Sequence, residues 1–352
     1  MNKKLLLLFI VLCIICSGQI KAQSLEETLS SLASTVGAAY VKPVISAFGS
    51  NLNSGWVSQV PSATKLGFHF DLKVIAMGSF FPSDVKNFSQ TGQYYFNDQQ
   101  AASILQSSGI QQSNPNYNQI KTQITNTPFN VNFSGPTIVG SKNQYLAINF
   151  PAQNFQGNNL AATTFTLNQV KGFLDELPAL PTAAVQLTVG TVFGTNVAVR
   201  YFPDVEIQNM GKFSFFGAGF IHNFGVWFPN PLPVDLGVGF FTQKMKVGDI
   251  FESNATQYGL YVSKTFGFII SITPYAGLTT ESSKTTISYN YQSNQNISGV
   301  PVPPVKISFD LEGENSTSAV VGINLHLAVV NINADYKFAK TKTASAGISF
   351  GL

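Results

Sequence analysis

Apolar and polar side chains alternate along short segments through most of this chain. In residues 66–76, Leu66, Phe68 and Phe70 fall on one side, and His69 and Asp71 fall on the other. Successive side chains of a β-strand point to opposite faces, so this period of two predicts strands with one apolar and one polar face. The same period returns in residues 183–193, 196–202, 212–221, 234–247, 255–266 and 330–340, and in the final residues up to 352.

Two further segments, 268–291 and 305–329, are longer than the roughly 9 to 11 residues that cross a membrane. They predict one long hairpin that rises beyond the bilayer, with its tip at 292–304. Weaker strand candidates cover 130–140 and 144–150. Three strands before residue 183 and nine after it predict about 12 strands, with 10 or 14 if one hairpin is lost or gained.

The fold predicted by these strands is all-β, a closed antiparallel transmembrane β-barrel. An unpaired backbone amide or carbonyl in hydrocarbon costs several kcal/mol, so a sheet that faces lipid must close on itself. Charged residues make up 11% of the chain and the mean hydropathy is +0.14, against about 25% charged residues in soluble domains. Apolar side chains spread over many short strands explain both values.

The first residues have the pattern of a secretory signal peptide. Lys3 and Lys4 precede an apolar run that is too short to span a bilayer, and Ala22 is a small residue at the expected cleavage site. Residues 1–22 are therefore predicted to be removed, with an uncleaved anchor helix as the alternative. Cleavage would remove both cysteines, which excludes disulfides, and would leave 17 basic and 17 acidic residues. Nothing in this balance favours nucleic acid.

A helix is predicted directly after the signal. Ser24 and Glu27 form a capping-box pattern, Leu25 and Leu29 begin a helical spacing, and Pro43 is expected to end or kink the helix. Residues 23–60 would then plug the lumen, pack at the periplasmic mouth, or form a loosely ordered leader. Residues 61–352 would form the barrel, with long extracellular loops at 82–129 and 292–304.

The polar faces of the strands supply candidates for the lumen. Arg200 is the sole arginine, and its alternation directs it inward; a charged residue inside the membrane zone is a functional candidate. These side chains either line a pore or pair with one another across a filled lumen. The lumen-lining candidates are His69, Asp71, Lys73, Arg200, Asp310, Asn324, His326, Asn333, Asp335 and Lys337.

Catalysis has little support. The chain has three histidines, and no serine shares the strand face of His69 and Asp71. The sequence has neither a metal-ligand spacing nor a glycine-rich loop before a helix. The chain is therefore predicted not to be an enzyme and to need no cofactor.

Aromatic residues mark the predicted membrane interface. Trp227 and Phe228 suit an interfacial turn. The last strand ends on Phe350 and Leu352, which is typical of the insertion signal recognised by the barrel-assembly machinery. The expected surroundings are outer-membrane lipid, and the expected localisation is the bacterial outer membrane.

Several segments carry a family resemblance, namely 187–203, His222 with 231–235, 312–315 and 333–336. They resemble an uncharacterised Bacteroidetes-type outer-membrane β-barrel family, a domain of unknown function. The chain is also distantly similar to the long-chain fatty-acid and hydrocarbon transporter barrels, which combine an N-terminal plug with a 14-stranded wall. That second resemblance is architectural and implies no ligand-binding residues here.

Two functions follow as hypotheses. The first is a channel or transporter for a small solute, with a hydrophobic ligand among the candidates, gated by the N-terminal segment. The second is a non-conducting surface barrel whose long loops bind a partner, a glycan or a neighbouring cell. A soluble secreted β-sandwich is a third alternative.

Overall fold

The computed structural model describes residues 32, 34–207, 211–292, 296–297 and 300–351. Its helices are α1 (Ser34–Leu52), α2 (Asp98–Ser107) and α3 (Tyr117–Asn126), with short 3-10 turns at Ser83–Val85 and Phe224–Trp227. Its strands are β1 (Leu66–Phe80), β2 (Asn87–Tyr94), β3 (Phe129–Pro136), β4 (Tyr145–Phe150), β5 (Gln153–Phe155), β6 (Asn158–Leu160), β7 (Thr163–Lys171), β8 (Ala179–Val192), β9 (Thr195–Ile207), β10 (Gly211–Asn223), β11 (Asp235–Val247), β12 (Phe251–Ser263), β13 (Phe266–Gly267), β14 (Ile270–Tyr291), β15 (Asn296–Ile297), β16 (Val300–Pro301), β17 (Val305–Glu312), β18 (Thr317–Leu327), β19 (Val330–Phe338) and β20 (Thr343–Gly351).

Ten of these strands close into an antiparallel barrel. The wall runs β1, β8, β9, β10, β11, β12, β14, β18, β19 and β20, and β20 pairs with β1 to complete the ring. Lys73, for example, lies opposite Gln186 of β8 and Ser349 of β20. The predicted fold class and the range of 10 to 14 strands are confirmed.

The outer surface of the wall is apolar because the alternation runs the same way in every strand. Along β1, the side chains of Leu72 and Val74 are exposed, whereas Asp71, Lys73 and Ile75 are buried. In β20, Ile348 and Phe350 are outward, and Ser345 and Ser349 are inward. A polar inside and an apolar outside are what a transmembrane barrel requires.

The long hairpin differs in detail from the prediction. Its first arm, β14, pairs with β18 along residues 270–280 and with β17 along 284–291. Its second arm is therefore two strands, separated at residues 313–316, where Gly313 donates its backbone N–H to the carbonyl of Ser283. Only β18 belongs to the wall, and β17 lies beyond it, above one end of the barrel.

A separate folded cap fills the connection between β1 and β8. Strands β2, β3, β4 and β7 form a four-stranded antiparallel sheet; α1 packs on β2, α2 packs on β7, and α3 packs on α2. Its core is aromatic, with Phe96 in ring contact with Phe129 and Phe150. The two weaker strand candidates, 130–140 and 144–150, were assigned to the wall in the sequence-based count, and that was wrong: they form β3 and β4 of this sheet.

Helix α1 has no place in the wall. It is a single helix that continues through Pro43, so of the two predicted effects of Pro43, an end or a kink, the end is wrong. Burial compensates for the lost backbone hydrogen bond, because Val41, Val44, Ile45 and Phe48 are all buried. Within the described ranges, no helix is long and apolar enough to cross a bilayer.

Candidate functional site

Helix α1 begins in the cap. The Tyr40 hydroxyl donates to the carbonyl of Lys171 at 2.8 Å, and the carbonyl of Tyr40 accepts from the Ile138 N–H at 3.0 Å. Just before the helix, the carbonyl of Leu32 accepts from the Tyr289 hydroxyl at 2.9 Å. These contacts fix the first half of α1 to the cap sheet and to the raised part of β14.

The helix ends inside the barrel, where its last carbonyls need partners from elsewhere. The last four carbonyls of an α-helix have no partner within the helix and carry a partial negative charge. Here the ammonium of Lys337 donates to the carbonyl of Ser50 at 2.8 Å, and the Trp56 indole donates to that of Leu52 at 3.1 Å. A buried cation therefore lies where the helix dipole stabilises it.

Two more buried cations bind the turn that follows α1. The Arg200 guanidinium donates to the carbonyl of Ser54 at 3.0 Å, and the Lys73 ammonium donates to that of Gly55 at 3.1 Å. Both side chains are 0% exposed. All three of the described inward-facing cations, on β1, β9 and β19, thus bind the backbone of residues 50–55.

Charge and shape complementarity complete this contact. Glu281 of β14 forms a buried ion pair with Lys337 at 3.1 Å, and both side chains are at most 1% exposed. The Arg200 guanidinium lies 3.9 Å from the centroid of the Trp56 ring, which stacks on Phe241 at 4.8 Å between centroids. A desolvated cation over an aromatic face adds an attraction of about 2 kcal/mol.

Neutral wall residues hold the rest of the segment. Gln257 donates to the carbonyl of Asn53 at 2.8 Å, and Gln186 donates to that of Trp56 at 3.1 Å. The Ser50 hydroxyl lies 2.7 Å from that of Thr343. These bonds come from β12, β8 and β20, so the segment is attached around the whole lumen.

The segment leaves the lumen at the end opposite the cap. Asn223 donates to the carbonyl of Pro61 at 2.7 Å, and the Val60 N–H donates to the Ser263 hydroxyl at 3.0 Å. The N–H of Phe193, in the turn between β8 and β9, donates to the carbonyl of Lys65 at 2.9 Å. Residues 34–65, called the lumen segment below, therefore pass from the cap end to the other end before β1 begins.

Little free space remains beside the lumen segment. A cavity of about 50 Å³ lies below Trp56, between His69, Asp71 and Asn324. A larger cleft of about 270 Å³ lies at the cap end, between α1 and the start of the cap. A water occupies about 30 Å³ in the liquid, so the lower cavity has room for only a few waters.

A family model matches residues 1–352, the whole chain. The chain belongs to that family, the family of unknown function DUF6588. No curated protein matches it.

Solved structures similar to the chain include outer-membrane proteins. The outer-membrane protein OmpT of Vibrio cholerae, in its trimer form, has 8% identity and a TM-score of 0.20, over 81% of this chain and 98% of that one. The β domain of the Bordetella autotransporter BrkA has 8% identity and a TM-score of 0.21, over 80% and 99%. OccAB3 of Acinetobacter baumannii has 9% identity and a TM-score of 0.17, over 81% and 98%. Such distant likenesses carry no argument about function.

Most of the predicted lumen candidates do lie together in this DUF6588 barrel. Lys73, Arg200 and Lys337 bind the lumen segment, as described above. Asn324 donates to the Gln59 side chain at 3.2 Å, so it also contacts that segment. Asp335 accepts from the Tyr275 hydroxyl at 3.0 Å. Asn333, two residues earlier on the same strand, is 2% exposed.

The remaining candidates divide into two groups. His69 and Asp71 border the lower cavity, and His326 contacts Asn331, which in turn donates to Asp71 at 3.3 Å. Asp310 is a wrong prediction: it lies on β17, faces outward, and pairs with Lys284 at 2.7 Å. The alternation of β17 is regular, but the strand stands outside the wall and therefore has no lumen to face.

Several side chains that hold the lumen segment or its ligands were not predicted from the sequence, Glu281 and Gln257 among them. Glu281 and Gln257 lie on inward positions of β14 and β12. Alternate polar residues Thr279, Glu281, Ser283 and Thr285 were the available signal for Glu281. Its partner could not be derived, because it depends on the pairing of β14 with β18 and of β18 with β19.

The predicted interface residues lie on the outer surface. Trp227 and Phe228 are 66% and 52% exposed, and Trp227 stacks on Phe193 at 5.9 Å between centroids. Phe350 is 54% exposed on β20. Leu352, the other predicted part of the insertion signal, lies outside the described residues.

Proposed function

We propose that this chain is a bacterial outer-membrane barrel that is closed by its own lumen segment and carries the cap at the cell surface. The support is physical. A wall with Phe70, Val74 and Phe350 on its outside needs an apolar solvent, and a closed ring leaves no wall edge unpaired in lipid. The surroundings would be outer-membrane lipid, and insertion would use the barrel-assembly machinery.

The observation that carries the proposal is the occupation of the lumen. Small barrels of eight strands can be filled by their own side chains, and porins of 16 to 18 strands leave a water channel. A ten-stranded barrel is intermediate, and here the space within it holds a backbone segment bound by Arg200, Lys73 and Lys337. A segment bound from several sides leaves the barrel non-conducting.

The orientation follows from the connections between strands. Outer-membrane barrels have short periplasmic turns and long extracellular loops. The two longest connections, the cap at 81–178 and the raised hairpin of β14 and β17, leave the same end of the barrel, which is then extracellular; the other end, whose longest connection is 224–234, is then periplasmic. The lumen segment would run inward from the cell surface, and residue 34 would lie outside the cell.

Conductance in planar bilayers tests this proposal. The full chain is expected to give no current steps, and a variant lacking residues 34–61 is expected to give a stable open pore. Because the deletion can prevent folding, a full-length Arg200→Ala, Lys337→Met variant is the second arm, with transient openings expected. Heat-modifiable gel mobility reports folding in each case. Steady conductance by the unaltered protein would overturn the proposal.

A second candidate is a gated passage for a small hydrophobic solute. It is favoured by the cleft of about 270 Å³ at the cap end, whose walls include Ala39, Pro43, Phe81 and Phe88. A solute bound there would lie against α1 and would have to displace it to pass. Liposome uptake of apolar solutes by the unaltered protein, absent in protein-free liposomes, would favour this candidate over a sealed barrel.

A further inference from the structure

The cap carries few charges. Residues 81–178 contain eight charged side chains, Asp84, Lys86, Asp98, Lys121, Lys142, Lys171, Asp175 and Glu176. Lys121 pairs with Asp98 at 3.2 Å, and contact with the Glu176 carboxylate raises the pKa of Lys142. Surfaces of soluble domains usually carry about 25–35% charged residues. The cap therefore has fewer of the charged side chains that ordinarily keep a protein surface hydrated and free of partners.

The uncharged side chains are ordered into two rows across the exposed side of the cap sheet. Strand pairing aligns four residues of β2, β3, β4 and β7 in each row. We call these two rows the polar sheet face: Thr91, Asn132, Asn149 and Thr164, then Ser89, Ser134, Ala147 and Thr166. The opposite side of the same strands is the aromatic core of the cap.

Hydrogen bonds between neighbours hold this face in a fixed arrangement. Asn132 donates to the Ser89 hydroxyl at 3.1 Å, Asn149 donates to that of Ser134 at 3.1 Å, and the Thr164 hydroxyl donates to the side-chain Oδ1 of Asn149 at 3.1 Å. Each amide and hydroxyl keeps further donor or acceptor capacity for solvent or a ligand. Tyr145, 41% exposed, lies two residues before Ala147 in β4 and so projects from the same side.

We propose that the polar sheet face binds a neutral polysaccharide. This proposal rests on the proposed position of the cap at the cell surface. Sugar hydroxyls are at once donors and acceptors, as are the amides and hydroxyls of Asn132, Asn149 and Thr166. A neutral ligand covers no charge on this face and so incurs no cost of desolvating one. The Tyr145 ring offers an apolar surface for the C–H side of a sugar ring.

Other partners fit the same face less well. An anionic polymer needs a basic patch; the two rows hold no cation, and Lys171, opposite Tyr145 at the end of β7, is a single one. A protein interface buries an apolar, aromatic-rich centre, whereas Tyr145 is the one aromatic ring on this side of β4. The chemistry therefore matches neutral glycans better than acidic glycans or proteins.

The proposal is tested by passing the purified full-length protein, in detergent micelles, over immobilised polysaccharides and measuring its retention. Mannan, dextran and laminarin are the neutral probes, and heparin is the anionic probe. Retention on at least one neutral polymer is expected, equal at low and high salt because no ion pairs form. Thr166→Glu, on the β7 edge of the face, and Tyr145→Ala are each expected to weaken retention about tenfold, since 1.4 kcal/mol is a factor of ten.

The matched control is Gln111→Glu, which adds the same charge at an exposed cap position outside the sheet and is expected to leave retention unchanged. Retention on no neutral polymer, on heparin alone, or undiminished in both face variants would overturn the proposal. Binding in micelles does not depend on the lumen or the orientation. A failure here therefore differs from a failure of the sealed barrel, which conductance reports.

Discussion

Arg200 shows how a single buried side chain connects the wall to the lumen segment. Its guanidinium bonds to Gln186 at 2.9 Å and to the Ser54 carbonyl at 3.0 Å. Arg200→Ala leaves both acceptors unsatisfied in a dry site, so we expect the free energy of unfolding to fall by about 3 kcal/mol. Urea unfolding in detergent, followed by Trp56 fluorescence in a Trp227→Phe background, measures it. Lys264→Ala, on an exposed side chain, should leave the midpoint unchanged.

The Lys337–Glu281 pair makes a different prediction, about coupling. Removing either partner alone leaves an unpaired charge in the lumen, and each of Lys337→Met and Glu281→Gln is expected to destabilise the barrel by about 3 kcal/mol. The loss of unfolding free energy in the double variant should be smaller than the sum of the two single losses by about 1–3 kcal/mol. The exposed pair Lys284–Asp310 is the control cycle, where we expect no measurable coupling. Additive losses at Lys337 and Glu281 would show that the two charges act independently.

For single residues, the sequence predicts which way a side chain points but not which groups it binds. Alternation directs Arg200, Lys73 and Lys337 to the polar side of their strands, and the structure has all three wholly buried. That they bind backbone carbonyls of residues 50–55, rather than one another, depends on tertiary contacts. For Arg200 and Lys337 these contacts join residues more than 100 positions apart, and for Lys73 they join residues 18 positions apart. Whether they line a route for a solute stays a prediction.

Among the elements, the lumen segment depends on one tight turn after α1. Gly55 has φ +66°, and a Cβ there would overlap Ile75 of the wall. Gly55→Ala would therefore add backbone strain of about 1–2 kcal/mol to the cost of overpacking. We expect a lower urea midpoint and a red-shifted Trp56 emission as the segment leaves the lumen. Gly78→Ala is the control, because its Cβ would meet Ala179 at an ordinary 3.8 Å; an equal effect there would contradict the crowding argument.

Strands were easier to predict than their assignment to a sheet. Phe129, Val131 and Phe133 alternate with Asn130 and Asn132 just as lipid-facing residues alternate with lumen residues. Period two records that one side is apolar, but it does not distinguish contact with lipid from contact with the core of a cap. The start predicted for the helix, at Ser24, lies outside the described residues, and α1 as described begins at Ser34.

For the whole molecule, the ring was predictable and the path of the chain through it was not. Closure follows from the physics of unpaired strand edges in lipid. The entry of α1 from the cap end follows from nothing local, because 19 residues of helix, about 28 Å long, would cross the barrel equally well in either direction. The contacts of Tyr40 with the cap and of Pro61 with Asn223 decide that direction.

That direction predicts which parts of the lumen segment are accessible on intact cells. Thr35 and Ser62 are both exposed but lie at opposite ends of the barrel. With the cap outside, Thr35→Cys should react with a membrane-impermeant maleimide on whole cells, and Ser62→Cys should react only after the outer membrane is permeabilised. The other cysteines of the chain, Cys13 and Cys16, fall in the predicted signal peptide, and the unaltered chain gives the background. Labelling of Ser62→Cys but not Thr35→Cys on intact cells would mean that the cap faces the periplasm, and the surface role proposed for it would be lost.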